Sequence, residues 1–178
     1  GRRYTYDDIA KMAEDAESFT CLIDSDDPVF TPPGDMIARI QQYAKETNQT
    51  VPETDAELFR CAYEGLALKY KYTFLEISDS VEQEFDVVNM VGGGSQATIL
   101  CQMVADASGL RVSAGPVEAT AIGNIVIQLI SLGAMTNVSE AREWVKNSFS
   151  MNYYYPKNTQ VWDKQFTRYK NLLNRYKK

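Results

Sequence analysis

Three consecutive glycines, Gly92, Gly93 and Gly94, stand in the stretch VGGGSQATILCQMV between an apolar run and an amphipathic one. Each glycine loses more backbone entropy on folding than any other residue. A run of them therefore implies close approach by another group, or a turn that a Cβ forbids. Three phosphate-binding patterns compete for it. A Walker A loop needs Gly-Lys-Ser/Thr, with the lysine on the β- and γ-phosphates, and GGGSQAT has no lysine. The dinucleotide fingerprint fits in letters as Gly92-x-Gly94-x-x-Ala97, but it also needs an acid at the end of the second strand. Ser113, Ala114 and Gly115 stand there instead. The third pattern is a loop that lies along the adenosine and α-phosphate of a nucleotide, at the C-terminal end of a parallel strand where ligands of open α/β sheets bind. A plain strand–helix turn explains one or two glycines and strains at three.

The remaining reactive residues exclude more than they assign. Histidine is absent, which removes Ser-His and Cys-His pairs, a histidine base and most zinc chemistry. Cys21, Cys61 and Cys101 form an odd set without CxxC spacing, read as free thiols of a reducing cytoplasmic compartment. Asp24, Asp26, Asp27 and Asp35 cluster in IDSDDPVFTPPGDM. The DxDD pattern resembles half of a calcium loop but lacks the glycine and distal glutamate of an EF-hand. Aspartates bonding their own turn backbone are the favoured reading. No catalytic residue and no metal ligand is assigned.

At 178 residues and 44% apolar, the chain is about one domain long and can bury roughly 70% of its surface. Its net charge of −6 argues against nucleic acid and anionic membrane as partners. The basic tip RYKNLLNRYKK reads as a solvated helix face. No apolar run reaches the ~20 residues of a membrane span, and no signal-peptide core precedes Tyr4.

The elements that must position the glycines follow from periodicity and punctuation. YDDIAKMAEDA reads as a helix with Ile9, Met12, Ala13 and Ala16 inward, followed by an irregular stretch broken by Pro28, Pro32, Pro33 and Gly34. GDMIARIQQYAKET is a second helix, with Met36, Ile37, Ile40 and Ala44 inward. Thr54 and Glu57 form a capping box that starts the longest helix, with Leu58, Cys61, Ala62, Leu66, Lys69, Tyr72 and Phe74 or Leu75 on one stripe. Gly65 in its middle predicts close backbone packing. FDVVNMV and LRVS read as strands flanking a helix through TILCQMVADAS, with Gly109 closing it. TAIGNIVIQLISL is the next helix, closed by Gly133, and Asn137 and Glu140 suggest a second capping box before SEAREWVKNS. MNYYYPKN breaks the pattern, and a terminal helix runs from Thr159. The strand–glycine turn–helix–strand–helix order is a βαβ unit with parallel strands. Two strands make a poor sheet, so the chain, which begins at Gly1, reads as part of a larger α/β protein.

The stretch from Met90 to Gly133 resembles the C-terminal domain of the FGGY carbohydrate kinases, most specifically through AGPVEATAIGN, and the upstream stretches IDSDDPVFTPPGDM and VPETDAELFRCAYEGLALKY share in the resemblance. The resemblance covers nearly the whole chain and is loose past Met151. It implies an α/β, mostly helical fold: part of an actin-like, ribonuclease-H-type ATPase domain with a short parallel βαβ unit. It implies ATP and Mg²⁺ as cofactors, with Gly92, Gly93, Gly94, Ser95 and Gln96 in the ATP-binding loop and Gly93 the foremost contact. Ala97 stands where family members often carry asparagine. Ala119, Ala121 and Gly123 match small residues that let a helix approach the nucleotide loop. Residues 1–178 are then the nucleotide-side domain, with 151–178 a helical tail and the sugar-binding N-terminal domain a missing partner. The implied activity is phosphoryl transfer from MgATP to the 1-hydroxyl of L-rhamnulose, with a xylulose, fuculose or glycerol kinase as the alternative. Alone, the chain is expected to be inactive and to self-associate at the FDVVNMV edge or near Tyr153, Tyr154 and Tyr155. The rival from another class is a noncatalytic helical interaction module.

Overall fold

The computed structural model describes residues 3–174. In chain order it contains α1 (Tyr6–Asp15), a short 3-10 turn (Pro28–Phe30), α2 (Met36–Glu46), α3 (Asp55–Val81), β1 (Val87–Met90), a second 3-10 turn (Gly92–Gln96) and α4 (Thr98–Ser108). Then come β2 (Arg111–Ala114), α5 (Ala119–Ser131), α6 (Val138–Ser148), β3 (Asn152–Tyr154) and α7 (Thr159–Leu173). Local chemistry sets most boundaries. The Thr54–Glu57 capping box starts α3: the Thr54 hydroxyl accepts from the Glu57 N–H, and the Glu57 carboxylate accepts from the Thr54 N–H at 2.9 Å. Thr5 and Asp8 make the same box at α1. Gly109 (φ 75°) and Gly133 (φ 73°) end their helices in the left-handed region. At α6 the expected box is half formed. The Asn137 side chain accepts from the Glu140 N–H, but the Glu140 carboxylate reaches the Thr136 N–H, one residue upstream.

β1 and β2 pair in parallel, Val87 opposite Arg111 and Met90 opposite Ala114. MNYYYPKN does more than break the pattern: Asn152–Tyr154 is a third strand, antiparallel to β2, giving the order β1-β2-β3. The sheet is therefore mixed, with β1 at one edge. One face carries Val88, Met90, Val112 and Ala114, all buried, and α4 lies over it. α4 buries Ile99, Leu100, Cys101, Met103, Val104, Ala105 and Ala107 against α3 and α7, whose Trp162, Phe166 and Tyr169 complete the main core. A second cluster joins Cys21, Ile23, Ile40, Tyr43, Ala44, Leu58 and Cys61, and a third joins α5 to α6 through Ile122, Val126 and Ala141. All three cysteines are buried free thiols. No helix of the described residues is long and apolar enough to cross a membrane.

Two helix faces differ from the sequence expectation. Met36 and Ile37 are exposed, and α2 buries Ile40, Tyr43 and Ala44. On α3, Leu58 and Cys61 are inward as expected, but the next inward residues are Glu64, Gly65, Ala67 and Leu68, while Leu66, Lys69 and Tyr72 are half-buried. The stripe turns because the core side of α3 receives a polar strap, the segment after α1.

That strap is held by buried charge. Glu64, fully buried, accepts from the Phe19 N–H at 2.8 Å and pairs with Arg60 at 2.6 Å. Arg60 also donates to the Ala13 carbonyl at 2.9 Å. From α7, Arg168 donates to the Phe19 carbonyl at 2.6 Å, to Thr20, and to the Gln49 side chain. Phe19 sits at φ 60°, uncommon for a bulky residue, with its ring edge-on to Trp162 at 4.9 Å. The strap then passes directly over Gly65. A Cβ there would lie 2.6 Å from the Ile23 carbonyl oxygen, which is the close approach that a mid-helix glycine predicts. The aspartates bond their own turns: Asp24 accepts from the Asp26 N–H, Asp27 from Val29 and Asp35 from Ala38. Lys69 pairs with Asp26 at 2.8 Å.

Two outcomes follow for stability. Alanine normally gains about 1 kcal/mol over glycine inside a helix, but Gly65→Ala should lose about 1–3 kcal/mol through backbone overpacking. A higher urea midpoint for this variant would contradict the packing described. Glu64→Ala should cost about 3–5 kcal/mol, because it strands Arg60 and the Phe19 N–H. Burial pushes the Glu64 carboxyl up, against the Arg60 and Phe19 bonds that favour its ionised form. A carboxyl raised on folding contributes stability below its unfolded pKa and loses it as pH rises through its folded pKa. The stability of the wild type relative to Glu64→Gln should therefore fall as pH rises through the carboxylate range. Urea melts at stepped pH check this, and a growing difference overturns it.

Candidate functional site

Parallel pairing brings the C-terminal ends of β1 and β2 side by side, and the glycines leave from the first of them. Gly92 turns the chain at φ 70°, a conformation that a Cβ disfavours. Its N–H donates to the Pro116 carbonyl at 3.3 Å, and the Gly115 N–H donates back to the Met90 carbonyl at 2.8 Å. The two strand exits are thus stitched together. Beyond Gly92 the chain makes one 3-10 turn over Gly92–Gln96, closed by the Ala97 N–H on the Gly94 carbonyl at 3.2 Å.

The five expected loop residues divide by exposure. Gly93, Gly94 and Gln96 are exposed, Gly92 is half-buried and Ser95 is buried. A Cβ built on Gly93 meets nothing within 4 Å, and its φ lies outside the left-handed region. Neither packing nor backbone conformation demands a glycine there. At Gly94 an added Cβ would only touch the Met90 methyl at 3.9 Å. The Ser95 hydroxyl points into the turn and donates to the Gly92 carbonyl at 2.7 Å. From below, the buried Cys101 thiol lies 3.8 Å from the Gly94 carbonyl oxygen and 3.7 Å from that of Ser95. Burial pushes this thiol up to about 11, so it stays a protonated donor at neutral pH. Ala97 precedes α4 without a side-chain cap.

The AGPVEATAIGN segment contributes differently from expectation. Ala119 is half-buried, Ala121 and Gly123 are exposed, and a Cβ on Gly123 would meet nothing within 4 Å. Among the described residues these small side chains do not carry a helix onto the turn. The close approach comes from Gly115 and Pro116, which sequence reasoning passed over. The signal was present: in a parallel pair the residues after the second strand lie beside those after the first. Behind the turn, between α5–α6 and the far face of the sheet, a cavity of about 820 Å³ is lined by Val91, Arg111, Ser113, Arg142 and Lys146 among others. Among the described residues no group of cysteines and carboxylates is placed to hold a metal ion.

Comparison with known proteins bears on the family and the fold. Residues 2–132 match the profile of the "FGGY family of carbohydrate kinases, C-terminal domain". The rhamnulokinase of Ligilactobacillus salivarius is 37% identical over 173 residues, which is 97% of this chain and 36% of that protein. The rhamnulokinase of Enterococcus faecalis is 39% identical over 154 residues, 85% of this chain and 31% of the relative. Among solved structures, xylulose kinase from Rhodospirillum rubrum superposes with a TM-score of 0.63 over 94% of this chain and 33% of that one, at 16% identity. A ligand-bound xylulose kinase from Lactobacillus acidophilus does so with a TM-score of 0.64 over 96% and 34%, at 14% identity. The chain spans about a third of the length of the relatives it matches. The family profile covers well over half of the chain, and the fold is shared with solved sugar kinases: the chain belongs to the FGGY family of carbohydrate kinases.

Proposed function

We propose that this chain supplies the nucleotide-side wall of a sugar kinase that transfers the γ-phosphate of ATP to the 1-hydroxyl of L-rhamnulose. One observation carries the nucleotide role. The middle glycine of the turn is exposed, free of left-handed strain and free of neighbours, so a ligand is the remaining reason for a missing Cβ. Gly92, Gly93, Gly94, Ser95 and Gln96 form the turn against which adenosine and α-phosphate lie, Gly93 at its centre. Ser95 contributes backbone, since its hydroxyl is engaged within the turn. The named sugar rests on the rhamnulokinase relatives at 35–39% identity.

ATP supplies the transferable phosphoryl group, and positioning and charge shielding supply the rate. No carboxylate stands in the turn, and among the described residues no cluster of three or more cysteines and carboxylates is placed to cage an ion, so Mg²⁺ would be carried largely by the phosphates of ATP. We assign no residue to the ion and none to the base that deprotonates the sugar. Residues 1–178, with 151–178 as the closing tail, act as one domain beside an N-terminal sugar-binding domain of the same kinase. The edge position of β1 and the exposed Ile125, Ile127 and Leu132 of the α5 region offer that partner a strand edge and an apolar surface. Three free thiols suit a cytoplasmic setting.

Three measurements test the reading. A coupled ADP-release assay should find turnover of roughly 1–100 s⁻¹ with L-rhamnulose for the complete kinase and none for residues 1–178 alone. Faster use of xylulose, fuculose or glycerol would reassign the sugar, and turnover by residues 1–178 would remove the two-domain reading. Sedimentation of residues 1–178 at about tens of micromolar, where exposed surfaces associate, should show self-association.

The third measurement separates the glycines. Gly93→Ala in the complete kinase should raise the KM for ATP or lower kcat with little change in Tm. Gly92→Ala should lose about 1 kcal/mol or more of stability from its positive φ. Unchanged ATP kinetics for Gly93→Ala would leave the turn as packing.

A further inference from the structure

We propose that Cys101 is a positioning residue for ATP: its buried thiol holds the carbonyls of Gly94 and Ser95 from beneath, and so fixes the backbone that the nucleotide meets. The inference rests on the reading of the glycine turn as a nucleotide contact. A turn of consecutive glycines has no side chains to anchor itself and the widest conformational freedom of any sequence. Ordering it at the moment of binding would cost affinity, so the anchor must come from outside the glycines. Two buried donors supply it. The Ser95 hydroxyl takes the Gly92 carbonyl at 2.7 Å. Cys101, one turn into α4 and wholly buried, sets its sulfur 3.8 Å and 3.7 Å from two further carbonyl oxygens, those of Gly94 and Ser95, between which its single S–H is shared.

The thiol is placed by its surroundings and not by the turn. α4 is clamped by α3, α7 and the sheet, with Leu100 and Val104 buried on either side of Cys101 along the helix. The turn is thus referenced to the rigid core. With three of its carbonyls engaged inward, its opposite edge, Gly93 and Gly94, is left exposed. Burial keeps the sulfur protonated through the neutral range, so it remains a donor at neutral pH. A buried alanine or valine would fill similar space with no donor, and serine would keep a donor on a shorter arm.

The test compares Cys101→Ala, Cys101→Val and Cys101→Ser in the complete kinase, with Gly93→Val as the control for the nucleotide reading. Cys101→Ala and Cys101→Val should raise the KM for ATP about three- to tenfold, the range of one neutral hydrogen bond. The KM for the sugar and kcat should stay within about twofold, and Cys101→Ser should recover most of the ATP affinity. Amide exchange of peptides covering residues 91–97 should accelerate in Cys101→Ala while the rest of α4 keeps its protection. If Gly93→Val raises the KM for ATP but neither donor-less Cys101 variant does, the positioning role is overturned and the nucleotide reading stands. If Gly93→Val leaves ATP kinetics unchanged, both fall. Should the alanine and valine variants not fold, Cys101→Ser alone decides: an ATP KM raised beyond about threefold in a folded enzyme with unaccelerated exchange at 91–97 overturns the proposal.

Discussion

Parallel pairing of β1 with β2 is the constraint from which the rest of the structure follows. Parallel strands cannot be joined by a hairpin and need a crossover, so the chain must leave β1, traverse one face as α4 and re-enter beside its starting point. The exit from β1 is thereby set next to the exit from β2. This is why Gly92 and Met90 exchange hydrogen bonds with Pro116 and Gly115, far along the chain. The crossover helix is left with apolar residues on nearly every side, and α3 and α7 are needed to cover what the sheet does not. The near face is closed in this way. The far face keeps Asn89, Arg111 and Ser113 along an open cavity, as suits a sheet designed to be covered on both sides.

Glycine serves separate physical ends in this chain. At Gly65 the demand is space, since the Ile23 carbonyl occupies the place of a Cβ. At Gly92 and Gly109 it is conformation, φ 70° and 75°. At Gly93 neither applies, and the vacancy faces solvent. In sequence the three glycines of the turn look equivalent. In the fold, the first shapes the turn and the second is the surface it presents.

The features legible in the sequence are those set by a few consecutive residues. The capping box of α3, the helix-ending Gly109 and Gly133, and the βαβ order are local signals, and the structure repeats them; the Thr5–Asp8 box of α1 is found only in the structure. The asparagine cap of α6 was readable, but its glutamate reaches one residue too far. What stayed hidden is set by partners distant in sequence. β3 is three residues long and exists because β2 offers it an edge, and nothing inside NYY announces that edge. The buried face of α3 was misjudged because its centre is Glu64, a residue type almost never buried unless paired, and its partners Phe19 and Arg168 lie on other elements. Of the site, the glycines were visible from composition. The roles of Cys101, Gly115 and Pro116 depended on which strands pair and in which direction.

Arg168 of α7 donates to the carbonyls of Phe19 and Thr20 across separations of 149 and 148 residues. The segment that α1 feeds into, and that covers Gly65, is therefore fastened by α7, which follows every other described helix in the chain. During translation, at ~5–20 residues per second, Glu64 and Arg60 can hold the Phe19 region once α3 is made, but its carbonyls wait on the ribosome for α7. Contacts of such long range weigh on the folding rate through loop closure. A nascent chain stalled before α7 has its βαβ unit complete and its strap still unfastened.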